Sequence, residues 1–338
     1  MPRNPAPDSF RRMVLSSMPS PAWLANDAPH SDVVLSSRVR VMRNLVGHHF
    51  PHQATNPELL EVQRLVLTCL AAQPFNVHRF LSLAERDHLV GCRLMSPDFH
   101  YDGPGRAMLI DEQRTTGIMI NEEDHIRLQT LTGGWSPENA DSIATQTLDV
   151  VSRRIDFAWS PRFGHLAASP FNAGEGRRLS AMFHLIGLAH TKRLPGVLRA
   201  LHAKGIASRG LFGEASRAIG AFVQVSITDS RRSDFIGAGD YLMHEERTAR
   251  TEVGREELTE RARQAIEFAI ASPTITLADS FRVLGWARWA AVAGVPNTHY
   301  SPRQVDTWLT VVELQSAPQN DKVGQARASF LRESLESA

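Results

Sequence analysis

Apolar positions along the 338-residue chain first recur with a period of two, then mix with helical spacing, and finally become helical throughout. Residues 1–31 are rich in proline, serine and asparagine, with one short amphipathic stretch near Phe10–Leu15, and read as a lead segment. Val33-Val34-Leu35-Ser36-Ser37-Arg38-Val39-Arg40 is strand-like and ends in two arginines. Helical spacing of Leu59, Leu60, Val62, Leu65, Val66, Cys69 and Leu70 predicts a helix over 57–72. Two short apolar runs, Ala107–Asp111 and Gly117–Ile120, flank a polar connection and predict a hairpin. A helix is predicted over 137–157, then strands over Gly164–Ala168, Ser180–Leu188 and Ala218–Thr228. Beyond about residue 236 the pattern is helical, with predicted helices Glu245–Ala271 and Leu277–Val295. These elements describe an α+β layout over 32–255 followed by a smaller all-α module over 256–338.

Composition adds exclusions. Lysine plus arginine total 37 and aspartate plus glutamate 36, giving a net charge of +1. A general nucleic-acid coat needs a clear basic excess, and this chain lacks one. The two cysteines, Cys69 and Cys92, cannot build a disulfide framework or a four-thiolate zinc site. No apolar run reaches the roughly 18 residues that span a bilayer, and no secretory signal opens the chain, so a cytoplasmic protein is expected. Lysine occurs only at Lys192, Lys204 and Lys322, so nearly every basic residue is arginine. A biased genome produces such an excess. So does a need for the rigid donor fork that suits phosphate and carboxylate.

The usual nucleotide and hydrolase words are missing, among them the Gly-x4-Gly-Lys phosphate loop, His-Glu-x-x-His and Gly-x-Ser-x-Gly. His48, His49 and His52 cluster without a partner at metal-ligand spacing and read as loop histidines. Four segments stand out instead. In Ser36-Ser37-Arg38-Val39-Arg40, a strand puts Arg38 and Arg40 on one face, where they form either a solvated edge or a polyanion site. Asn121-Glu122-Glu123-Asp124-His125-Ile126-Arg127 places three acids at a strand end, either a surface turn or a site that accepts a proton. Ser169-Pro170-Phe171-Asn172-Ala173-Gly174-Glu175-Gly176-Arg177-Arg178 is a glycine-bearing loop ending in arginines. Its backbone amides can cradle phosphate oxygens. Arg209-Gly210-Leu211-Phe212-Gly213-Glu214 opens a further glycine turn.

In this order, the four segments resemble the guanidino phosphotransferases, and within them the bacterial protein-arginine kinases, from about Leu15 to His244. The resemblance implies an α+β phosphagen-kinase-like catalytic domain over 32–255, an antiparallel sheet flanked by helices, followed by the all-α domain. It implies a kinase that uses ATP and Mg²⁺ to phosphorylate arginine in proteins. It assigns Arg38, Arg40, Arg127, Arg178 and Arg209 to the nucleotide phosphates, and Glu123 to catalysis with Glu122 in support. It further implies nucleotide contacts from Ser36, Ser37, Val39, Arg93, Leu179, Ser180, Ala181, Met182, Gly210, Leu211, Phe212, Gly213 and Glu214. Ser169 and Asn172 would position the acceptor, and no residue is assigned as a metal ligand. Animal relatives carry a helical domain before the arginine strand. Here that strand begins at Val33, and the helical module follows, as in the bacterial branch. Leu15-Ser16-Ser17-Met18 and Glu245-Glu246-Arg247-Thr248-Ala249-Arg250 also resemble that branch. Implied partners are arginine-bearing proteins, a zinc-binding activator, a Clp-type AAA+ protease and a second copy of the chain, with Trp286 and Trp289 suited to such a contact. Neither nucleic acid nor membrane is implied. The expected role is stress-related degradation or regulation.

The sequence also departs from the family. Ser169 replaces a cysteine, Glu175 a threonine and Arg177 an apolar residue, while Arg93 aligns with a nucleotide-contacting histidine. Near the C-terminus Arg327-Ala328 remain of an Arg-Asp-x-x-Arg-Ala word that reads phosphoarginine, and Val323-Gly324 replace its leading pair. A kinase for a small guanidino metabolite and a phosphoarginine-binding adaptor are the alternative readings.

Overall fold

A computed structural model describes residues 20–24, 28–99, 102–210, 218–228, 231–312 and 321–336. Ten strands are present among them: β1 (Val34–Arg43), β2 (Phe75–His78), β3 (Ala107–Asp111), β4 (Thr116–Ile120), β5 (Ile126–Gly133), β6 (Trp159–Ser160), β7 (Gly164–His165), β8 (Arg177–His184), β9 (Ala207–Gly210) and β10 (Phe222–Thr228). The helices are α1 (Asn56–Leu70), α2 (Leu83–Gly91), α3 (Pro137–Ser152), α4 (Ile186–His190), α5 (Leu194–Ala203), α6 (Arg232–Val253), α7 (Arg255–Ala271), α8 (Leu277–Ala293), α9 (Pro302–Val311) and α10 (Asp321–Glu336). Eight strands form one antiparallel sheet in the order β2-β3-β4-β5-β1-β8-β10-β9. β6 and β7 form a separate hairpin.

Strand side chains alternate between faces, and here the two faces differ sharply. Val39, Val41, Leu128, Leu179, Ala181, Val223, Val225 and Ile227 point to one side. There they meet Val62 and Val66 of α1, Ala140 and Ala144 of α3, Val197 of α5, and Phe235 and Leu242 of α6. The opposite face is apolar only at its two ends. Met108, Met119 and Leu131 pack under α2 with Trp23 and Leu24, while Met182 packs against the α7–α10 module. Between these covers the sheet is polar.

Several sequence expectations change. The apolar run Ser180–Leu188 is not one strand: β8 ends at His184 and α4 begins at Ile186. Short, fully buried apolar runs do not distinguish strand from helix. The Glu246 carboxylate accepts from the Gly187 and Leu188 amides, fixing α4. The helix expected over 137–157 stops at Ser152. The helix expected over Glu245–Ala271 breaks at Gly254, whose φ of 89° only glycine adopts readily, giving α6 and α7. Trp289 is buried within the chain beneath the Arg250 guanidinium, and Trp286 packs edge-on to His190, so internal packing uses both rings.

The helical module is tied to the sheet by a buried cation. Arg288 has no exposed side-chain surface. It donates to both Asp306 carboxylate oxygens at 2.7 and 3.2 Å, and to the Ser31 and Asp32 carbonyls just before β1. Removing one member of such a pair strands the other without solvation. Asp306→Ala is therefore expected to destabilise the fold by about 3–5 kcal/mol, and Asp306→Asn by less. Urea unfolding measures this, and an unchanged midpoint in Asp306→Ala would contradict it.

Candidate active site

Strand register assembles the polar face. Arg40 pairs with Arg178 and Arg38 with Ser180 across β1 and β8. On the other side of β1, Met42 pairs with Arg127. Gln224 of β10 pairs with both Met182 and Arg209. Arg38, Arg40, Arg127, Arg178 and Arg209 thus project from one face of three neighbouring strands, β5, β1 and β8, and of β9 beyond β10. Ser36, Ser180 and Met182 share that face. Arg93, just past α2, adds its charge, since it depresses the Arg38 guanidinium.

Neutral partners hold these side chains out. Arg38 donates to Gln224 Oε1 at 2.8 Å and Ser180 Oγ at 3.4 Å, and Arg178 donates to Ser226 Oγ at 2.8 Å. Buried nitrogens remain without a hydrogen-bond acceptor among the described residues: Arg40 Nε and Nη2, Arg127 Nε and Arg178 Nε. Burial and then mutual repulsion hold the Arg38 guanidinium at about 9 and that of Arg178 at about 10. The same causes, in the same order, hold Arg40 well below its ordinary range. Like charges this close repel, and unmet buried donors are costly. Such a face is complementary to a polyanion.

The acidic turn at the start of β5 is clamped residue by residue. Asn121, at φ 56°, donates to the Leu59 and Gly105 carbonyls at 2.9 and 2.7 Å. Glu122 accepts from Arg127 Nη1 with both oxygens at 2.8 Å. Asp124 is buried; its Oδ1 accepts from Asn44 Nδ2 at 2.6 Å and from the Ala168 amide at 2.7 Å. His125 is buried as a neutral ring, accepting from the Leu45 amide at Nδ1 and donating from Nε2 to the His49 carbonyl. Glu123 alone of the three acids faces solvent. Its carboxyl is raised by partial burial, then by Asp124 and Glu122. That shift favours accepting a proton. The Ala168–Asp124 bond fastens the segment carrying Ser169 and Asn172 beside this turn.

Other expected site residues lie elsewhere. Ser37, Val39, Leu179, Ala181 and Gly210 fall on the reverse parity of their strands; Val39, Leu179 and Ala181 are core, and Ser37 Oγ donates to the Gly134 carbonyl. Leu211, Phe212, Gly213 and Glu214, like Leu15–Met18, lie outside the described residues. Asn44 was not singled out by its sequence, because its contacts are about eighty residues away. Among the described residues no cluster of three or more His, Cys, Asp or Glu side chains could hold a metal, and no helix is long and apolar enough to cross a membrane.

An antiparallel sheet thus presents a guanidinium-lined face beside a clamped carboxylate turn. Residues 70–230 match the ATP:guanido phosphotransferase C-terminal catalytic domain. The chain is 36% identical over 213 residues to a protein-arginine kinase of Pelotomaculum thermopropionicum, covering 60% of each chain. It is 34% identical over 247 residues to one of Geobacillus stearothermophilus, covering 70% of this chain and 68% of that one. It spans about 60% of the length of the first curated relatives it matches. In fold it is similar to a lombricine kinase, with a TM-score of 0.58 at 21% identity over 71% of this chain and 76% of that one. A taurocyamine kinase of Schistosoma mansoni gives 0.59 at 21% identity, over 77% and 41%. The chain belongs to the ATP:guanido phosphotransferase family.

The clamp carries a pH signature. An unfolded histidine binds a proton below about 6.5, whereas burial pushes His125 down to about 4. His88 and His165 are pushed to about 4 as well, first by burial. Unfolding therefore takes up protons in this window, and stability is full above it and lost as pH falls through it. The urea midpoint is expected to drop steadily between about pH 6.5 and 4; a level midpoint would contradict this.

Proposed function

We propose that the protein is a protein-arginine kinase, transferring the γ-phosphoryl group of ATP to arginine side chains of proteins. Residues 32–255 form its catalytic domain and 256–338 a helical domain. The observation that carries this reading is the set of five guanidiniums on one sheet face, with buried unbonded nitrogens at Arg40, Arg127 and Arg178, beside exposed Glu123. The relatives' names support arginine as acceptor.

Phosphoryl transfer spreads negative charge over equatorial oxygens, and preorganised cations stabilise it. Arg38, Arg40, Arg127, Arg178 and Arg209 hold the phosphate chain, with Ser36, Ser180, Met182 and Arg93 lining the same face for the rest of the nucleotide. Mg²⁺ would enter with the nucleotide and would supply further charge neutralisation, with no side chain of this chain assigned to hold it. The acceptor guanidinium is a cation and a poor nucleophile. Glu123 pairs with it, orients one nitrogen in line and takes its proton as that nitrogen bonds to the γ-phosphorus and ADP leaves. Glu122 holds Arg127 in place, and Ser169 and Asn172 position the acceptor. Ser37, Val39, Leu179 and Ala181 contribute by fixing strand register rather than by side-chain contact.

By its resemblance to the bacterial protein-arginine kinases, the phosphoarginine mark serves stress-related degradation or regulation in the cytoplasm, with a zinc-binding activator and a Clp-type protease as partners.

Glu123→Gln is expected to bind ATP as the wild type does while losing at least about 100-fold in transfer rate. The assay measures acid-labile phosphate on a folded arginine-rich protein and, separately, on free arginine. Transfer to free arginine alone would redirect the proposal to a metabolite kinase. Full activity in Glu123→Gln would remove the carboxylate from its role.

A further inference from the structure

The two departures from the family in the glycine loop, Glu175 and Arg177, meet in one cavity. Its volume is about 710 Å³, and its walls include Arg43, Trp159, His165, Glu175, Arg177 and Arg232. Arg177 and Arg178 are consecutive on β8 and therefore project to opposite faces. The cavity consequently lies behind the arginine face, at the sheet end that carries Arg43 and the start of β8. The β6–β7 hairpin walls it, held by paired amide bonds between His165 and Gly174 at 2.7 and 3.1 Å.

Among the wall residues three guanidiniums, Arg43, Arg177 and Arg232, face one carboxylate, Glu175. Asp141 is gripped by Arg177 and Arg232 together, and Asp149 of α3 also acts on Arg177. Glu175 is exposed at the rim. Arg43 Nη1 is committed to the Met42, Glu175 and Gly176 carbonyls, which fixes its position. His165 Nδ1 is buried without a partner among the described residues. Burial, then Arg43 and Arg177, hold the His165 ring down at about 4. Burial, then Arg177, hold Arg43 at about 10. Trp159 is 58% exposed and lies along the cavity, offering a flat apolar surface. A bare phosphate would fill little of this volume.

We infer that this cavity is a second anion site, taking a small phosphate monoester whose phosphate meets Arg43, Arg177 and Arg232 and whose flat apolar group lies on Trp159. Charge-assisted bonds to a phosphate are strong and geometrically specific. A cationic cavity also concentrates anions. The inference stands independently of what the arginine face does.

Phenyl phosphate titrated calorimetrically into the full chain tests it. The expected result is a binding event retained in Arg40→Ala but weakened at least about tenfold in Arg177→Leu and in Arg232→Ala. The same event strengthens in Glu175→Gln and weakens in Trp159→Ala. Arg232 is half exposed at a helix start, so Arg232→Ala decides the matter should Arg177→Leu fail to fold. Absence of binding, loss of all binding in Arg40→Ala, or binding unmoved by Arg232→Ala would overturn the inference.

Discussion

Repulsion among five guanidiniums on one sheet face is the constraint to which the rest of the molecule answers. Opposed like charges destabilise a sheet, and burying cations without counter-ions is costly. Arg40 and Arg178 nevertheless sit directly opposite each other. The strands bearing them are held from behind, where the apolar face packs against α1, α3, α5 and α6. They are held from the sides by the α2 cover and the α7–α10 module. Stability is thus supplied by one face and consumed on the other, a common arrangement where function requires strain.

The acids solve a complementary problem. Three consecutive carboxylates beside an arginine cluster would simply neutralise it if all were free to swing inward. Glu122 is spent on Arg127 and Asp124 on Asn44 and the Ala168 amide. His125 locks the chain at their end through two backbone bonds. Glu123 is left exposed, with its carboxyl raised by its surroundings. The turn therefore separates structural from available charge within a single short motif.

Much of this was legible in the chain before any coordinates. Arg38 and Arg40, two residues apart, announce a shared strand face. The acidic word announces a special turn. The same period of two separates Ser37 and Val39 from that face, so strand parity refines what motif resemblance alone assigns. Other features were hidden for physical reasons. Asn44 acts through partners about eighty residues away, and local patterns carry no trace of such contacts. α4 is short and buried over Ile186–Leu188, so its apolar run resembles the strand it follows. Glu175 and Arg177 stood out as departures, yet only the folding of β6–β7 against β8 brings them to one cavity.

The measurement closest to the central claim compares Arg40→Met with the wild type in both unfolding and ATP binding. Arg40 has two buried nitrogens without partners, so an apolar side chain of similar length should relieve repulsion. Arg40→Met is expected to unfold at higher urea than the wild type in the absence of nucleotide, and to have lost its affinity for ATP. A variant that is less stable and still binds ATP as the wild type does would contradict it.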